Sequence, residues 1–279
     1  MKRTDKTKRM VESALMISIA TILGMFSIVE MPYGGSVTLA SMLPIVLISY
    51  RHGVAWGLGA GSTYAVLQQL LGLKNLGYFT TWQSIVAIIL LDYLLAFTLV
   101  GLGGVFRRSV KRQNLSLALG GLLACLLRYL CHVISGATVW AGLSIPTEAA
   151  LGYSIGYNAT YMIPEAVVLV LAAYALGSLL DFRREQPTRL PSALGNGRAD
   201  LLGVVAGLLI FAATAIDVSL IFSHMQNPDT GAFDITCLVA TPFAESFWLK
   251  VVIITGVAVV SAVALLILRR RSLAKSGEA

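Results

Sequence analysis

The sequence predicts an all-α polytopic membrane protein, and three observations carry that prediction. Of the 279 residues 57% are hydrophobic and only 13% charged, with a mean hydropathy of +0.79, far outside the range of a soluble domain. Apolar stretches recur at 10–30, 37–50, 54–71, 83–105, 115–135, 151–180, 201–222 and 247–268. Most come near the roughly 20 residues that a spanning helix requires. The basic residues alternate with them: of the 21 Lys and Arg, all but Lys74, Lys250 and Arg128 fall on one side of an eight-span arrangement. By the positive-inside bias both termini are cytoplasmic.

Taken in order, the first stretch follows Lys2, Arg3, Lys6, Lys8 and Arg9, exceeds a signal-peptide core and has no small-residue cleavage site. It reads as a retained helix. Residues 32–44, PYGGSVTLASMLP, form the first outer loop, whose glycines let the backbone fold close to a ligand as a lid, though they suit a plain tight turn equally. The second and third stretches are short and separated only by Arg51, His52 and Gly53, which predicts a tight helical hairpin with its ends in protein or at the interface. Asp92 and Tyr93 lie well inside the fourth stretch, Arg128 and His132 inside the fifth, and Tyr153, Tyr157 and Asn158 open the sixth. The run DFRREQPTRLPSALGNGRAD, from Asp181 to Asp200, is charged and rich in Pro and Gly. It sets domain boundaries: a six-helix membrane bundle at 1–182, a cytoplasmic linker at 183–200, and a two-helix transmembrane hairpin with a basic tail at 201–279.

Several functions are excluded by what the chain lacks. No G-x-x-x-x-G-K-[ST] motif is present, so the chain cannot use ATP by itself. Neither H-E-x-x-H nor G-x-S-x-G occurs, so no enzyme, no catalytic residue and no cofactor is expected. Cys125, Cys131 and Cys237 cannot all pair and have no metal-ligand spacing, so no metal is expected either. The net charge of +7 follows from orientation and contact with anionic membrane lipid, without a nucleic-acid partner.

Five ionisable groups fall inside predicted spans: Asp92, Arg128, His132, Glu165 and Asp217. An unpaired carboxylate at such depth costs about 2.5 to 3.5 kcal/mol, so Asp92 requires a partner, either Arg128 or a cation on a ligand. Arg128, His132, Gly136 and Trp140 are spaced four apart and would share one helical stripe. Tyr78, Trp82, Trp140, Tyr153 and Tyr157 fall near outer span ends, where an interfacial aromatic belt would also place them. Flat π faces beside an anion and imidazole or amide groups suit a planar heteroaromatic cation, to which cation–π contact contributes about 2 kcal/mol. Buried structural hydrogen bonds are the alternative account of the polar residues.

The glycine-serine loop before Ser41-Met42-Leu43-Pro44-Ile45, Arg51-x-Gly53, Asp92-Tyr93, Arg128-Tyr129-x-x-His132 with Gly136 and Trp140, and Tyr153 with Asn158 occur in that order. Over about residues 8–182 the chain resembles the thiamine-specific substrate-binding subunit (S-component) of energy-coupling factor (ECF) importers. The resemblance implies a six-helix S-component bundle with the vitamin near the outer face, under the first loop. It implies Trp140 stacking on thiamine, Asp92 near the thiazolium, with Tyr93 beside it, hydrogen bonds from His132, Tyr153 and Asn158, and space left by Gly136. An aromatic residue in the first loop, Tyr33, and another before the fourth helix, Tyr78 or Trp82, complete the implied site. A member of the family has a longer acidic side chain where this chain has Asp92. Docking to a transmembrane coupling protein and two cytoplasmic ATPases is also implied, through small residues four apart on the first helix, here Ala14 and Ser18. A multi-pass plasma-membrane protein that captures thiamine for ATP-driven import is therefore expected. Two other readings fit the residues: a secondary transporter of a small organic cation in which Asp92, His132 or Glu165 relays protons, and a non-transporting membrane scaffold.

Overall fold

A computed structural model describes residues 3–31, 34–141, 150–190, 197–225, 237–238 and 246–275. A helix satisfies every backbone polar group within its own segment, so long apolar runs fold this way in lipid. The eight stretches become α1 (Arg3–Met25), α2 (Leu43–His52), α3 (Val54–Leu71), α4 (Trp82–Arg107), α5 (Gln113–Thr138), α6 (Ala150–Leu179), α7 (Gly197–His224) and α8 (Ser246–Lys275). Among the described residues α4 to α8 are long and apolar enough to cross a membrane. At 10 residues α2 spans about 15 Å, half the hydrocarbon core, and Leu43 to Tyr50 are all buried within protein. Gly53, at φ 96°, ends α2 and begins α3, a backbone conformation that a side chain would strain.

The first stretch departs from expectation. Instead of running to residue 30, α1 stops at Met25, and Ser27–Glu30 (β1) pairs antiparallel with Ser36–Thr38 (β2). Alternating exposure along Ser27-Ile28-Val29-Glu30 and a turn through Gly34 and Gly35, both at φ 92°, favour a ribbon over a further helical turn.

The chain divides into two compact units, Met1–Gly177 with Phe182–Pro187, and Ser178–Asp181 with Thr188–Ala279. The first is held by close backbone crossings of α4 with α2, α3 and α5. A Cβ at Gly57 would meet the Gly101 carbonyl, and one at Gly120 would overlap the Gly103 carbonyl. Buried Ser49 donates its hydroxyl to the Gly101 carbonyl and accepts the Gly104 N–H at 2.9 Å. Ser49→Ala leaves that N–H unsatisfied and is expected to cost about 2 kcal/mol, measured as a lowered thermal midpoint in detergent. At the end of this bundle where α2 meets α3, the Arg51 guanidinium donates to the Glu12 carboxylate and to the carbonyls of Phe182, Arg184 and Glu185. One side chain thus ties α1 to the segment after α6.

In the second unit β3 (Leu180–Asp181) pairs with β4 (Thr188–Arg189), and α7 packs along α8. Asp217, which the sequence left without a partner, accepts the Thr255 hydroxyl from α8 at 2.6 Å. Near one end of this hairpin the rings of His224 and Phe247 stack at 4.0 Å.

Candidate functional site

The middle of α4 departs from regular helical pitch. Residues Ile89–Leu95 form a π-helical turn, a widening frequent at functional sites, and Asp92 sits within it. There the carboxylate accepts three hydrogen bonds: His132 Nδ1 at 2.9 Å on one oxygen, and Ser135 Oγ at 2.8 Å and Trp140 Nε1 at 3.0 Å on the other. Arg128 donates through Nε to His132 Nε2 at 3.1 Å. A guanidinium can only donate, so Nε2 accepts and the His132 proton lies on Nδ1, facing Asp92. Arg128, one of the two partners the sequence offers Asp92, is therefore linked to it through an imidazole, with no direct contact between them. The guanidinium also lies over the Phe97 ring, 4.4 Å from its centroid.

Trp140 does not continue the helical stripe of Arg128, His132 and Gly136, because α5 ends at Thr138. The Ser135 carbonyl accepts the N–H groups of both Val139 and Trp140, and the resulting turn carries the indole back to Asp92. Phe79 meets it edge-on at 4.7 Å and Tyr78 at 5.8 Å, leaving Trp140 9% exposed. Anion and indole are thus bonded to each other on one wall.

That wall bounds a cavity of about 470 Å³, within the range of small-molecule sites. Asp92, Tyr93 and Phe97 face it from α4, and Arg128, His132 and Gly136 from α5. Tyr157, Asn158 and Tyr161 face it from α6; Trp140 and its neighbour Tyr78 line it too, as do Gln68, Leu71, Gly72 and Asn75. Tyr93 donates its hydroxyl to the Gly72 carbonyl at 3.2 Å and accepts from Asn75 Nδ2 at 2.8 Å, which fixes the α3–α4 connection.

Of the site residues read from sequence, Asp92, Tyr93, His132, Gly136, Trp140, Asn158 and Tyr78 line this one space. Trp82 does not line it and is 70% exposed, whereas Tyr78 does. Tyr153 packs behind the wall against the cluster of Phe79, Ile88 and Trp140. Tyr33 lies outside the described residues. The Asn158 amide donates to the Ser154 carbonyl at 2.9 Å and to its hydroxyl at 3.1 Å, and its oxygen accepts the Tyr161 hydroxyl. Ser135 and Tyr161 were missed, although Ser135 stands three residues after His132 and Tyr161 four after Tyr157, on the faces already in question. Ala14 and Ser18 are exposed on α1, with the Ser18 hydroxyl satisfied by the Ala14 carbonyl at 2.9 Å.

A polytopic helical bundle enclosing a polar, aromatic-walled cavity defines a membrane protein that binds or transports a small molecule. The chain belongs to the thiamine transporter protein family (Thia_YuaJ), whose sequence profile matches residues 10–181. It is 35% identical over 184 residues to the thiamine transporter ThiT of Bacillus subtilis, covering 61% of this chain and 91% of that one. A solved structure of ThiT from Listeria monocytogenes shares the fold, with a TM-score of 0.51 and 19% identity over 62% of this chain and 94% of that chain. This is accordingly a multi-pass cell-membrane protein of a transporter family and not an enzyme.

Proposed function

We propose that the chain captures thiamine or a close analogue in this cavity and delivers it to an ATP-driven ECF module for import. One observation carries the reading: a membrane-buried carboxylate and an indole, 48 residues apart in sequence, meet on the wall of a ligand-sized cavity. Asp92 is the counter-charge for the thiazolium and Trp140 supplies a π face to the ligand rings. His132 and Asn158 bond the ring edge by exchanging a present partner, Arg128 for His132 and Tyr161 for Asn158, Gly136 leaves room for it, and Tyr93 holds the wall beside Asp92. Tyr78 supplies the second aromatic face, and Tyr33 belongs to the cover. Tyr153 acts from behind Trp140.

The cavity faces the cell exterior in this reading, because the end carrying Arg51, Arg107 and Arg183 is the basic, cytoplasmic one. The unit at 1–182 is the substrate-binding bundle, followed by the linker and the hairpin. Ala14 and Ser18 form the exposed small-residue face on α1 that meets the transmembrane coupling protein, which two cytoplasmic ATPases drive. Support comes from the family, from the absence of a phosphate-binding loop, and from Ser18 having its hydroxyl satisfied within the helix, so that backbones can approach.

Titrating the purified protein with thiamine is expected to quench tryptophan fluorescence, and Trp140→Ala to weaken binding about 30-fold, the equivalent of about 2 kcal/mol. A folded sample that shows no binding of thiamine or its phosphates by calorimetry excludes the reading. Uptake by vesicles containing this chain alone, driven by a proton gradient, would instead establish the secondary transporter.

A further inference from the structure

Several donors on the cavity wall are already engaged within the protein. Trp140 Nε1 and His132 Nδ1 donate to Asp92, Asn75 Nδ2 donates to the Tyr93 hydroxyl, and Asn158 Nδ2 donates to the Ser154 carbonyl. Gln68 differs. It stands in the last turn of α3 and lines the cavity, yet its amide nitrogen is shielded from solvent and has no hydrogen-bond partner among the described residues. The amide lies against the last turn of α1, where a Cβ on Gly24 would fall 2.8 Å from Nε2 and 3.3 Å from the Tyr64 hydroxyl. That hydroxyl, one turn back on α3, lies beside the amide but takes no hydrogen bond from its nitrogen; its own contact is with the Ala20 carbonyl at 3.5 Å.

A buried donor without an acceptor is costly, because it has given up water for nothing in return. A carboxamide is neutral and turns easily about its terminal bond, so the same nitrogen can be presented to the cavity without moving α3. Thiamine carries uncharged acceptors of the matching kind: the pyrimidine nitrogens and the hydroxyl oxygen. We propose that Gln68 is a further ligand-binding residue, whose amide N–H donates to one of these acceptors when thiamine occupies the cavity. Gly24, which also lines the cavity, leaves the amide the room it needs. The assignment rests on the cavity being the thiamine site and gives that site a contact for the ligand's uncharged polar edge, separate from the carboxylate that meets its cation.

Gln68→Met keeps the length of the side chain and removes both of its hydrogen-bonding groups. Calorimetric titration of the full chain with thiamine is expected to show binding weakened about tenfold. The thermal midpoint without thiamine is expected to stay at or above the wild-type value, since an unpartnered donor has been removed. Thiamine analogues locate the acceptor: one for each pyrimidine nitrogen, replaced by C–H, and one with the hydroxyl group replaced by hydrogen. The analogue lacking the atom that Gln68 contacts is expected to bind variant and wild type equally, while the others keep the penalty. Tyr64→Phe is expected to leave thiamine affinity within about twofold of wild type. A lowered midpoint with unchanged affinity, a penalty that persists with every analogue, or an equal loss of affinity in Tyr64→Phe overturns the proposal. A wild-type chain that binds none of these compounds defeats the thiamine reading instead, and the midpoint without ligand then decides alone: a fall in Gln68→Met gives the amide a partner inside the protein and removes the orphan donor on which the proposal stands.

Discussion

Asp92→Asn is expected to weaken thiamine binding by about 100-fold or more, close to 3 kcal/mol, measured by calorimetric titration. Two effects add. The amide carries no charge to set against the thiazolium, and it offers one acceptor oxygen where the carboxylate offers two. His132 can keep its bond to the remaining oxygen, and the Ser135 hydroxyl can rotate to accept from the new NH2 group. The Trp140 indole N–H can only donate, so it is left facing a donor and a ring that lines the cavity is displaced. A thermal-shift measurement separates this from a merely structural role. If Asp92 only satisfied its neighbours, stability would fall while the affinity of the folded fraction stayed as it was.

Gly120→Ala is expected to destabilise the bundle by about 3 kcal/mol or more, seen as loss of folded, monodisperse protein after extraction. In an isolated helix the same change would favour folding by about 0.5 to 1 kcal/mol. Here the added methyl would overlap the Gly103 carbonyl. The obstacle is backbone, with no flexible side-chain end to move aside, so α5 must separate from α4.

How far the site could be read from sequence depended on the kind of force involved. Asp92, His132 and Trp140 were legible as a group because charge and hydrogen-bonding capacity are expensive in lipid and must find each other, wherever they stand along the chain. The long apolar runs behind α4 to α8 were legible for the same reason. Geometry set by a single residue was not. Ser27–Glu30 is apolar enough to continue a helix, and only the glycine turn and strand pairing draw it into the ribbon. Trp140 has the spacing of the α5 stripe but lies beyond the last helical turn, and a shared carbonyl returns it to the same place. The choice of Tyr78 over Trp82 turns on the 3-10 turn at Leu73–Tyr78, which four-residue spacing cannot register. Tight glycine crossings leave no compositional trace beyond glycines that are common in any membrane helix.

The wide turn at Ile89–Leu95, followed by the 3-10 winding of Leu99–Arg107, divides α4 into segments out of phase. An α-helix advances about 100° per residue, so accommodating an additional residue rotates everything beyond it by roughly that angle. Ile88, before the turn, packs with Phe79 and Trp140, while Gly101, Gly103 and Gly104, after it, meet α2, α3 and α5. A uniform pitch would make either contact dictate the azimuth of the other. With the slip between them, drift in the recognition half can proceed without rotating the scaffold half out of its grooves.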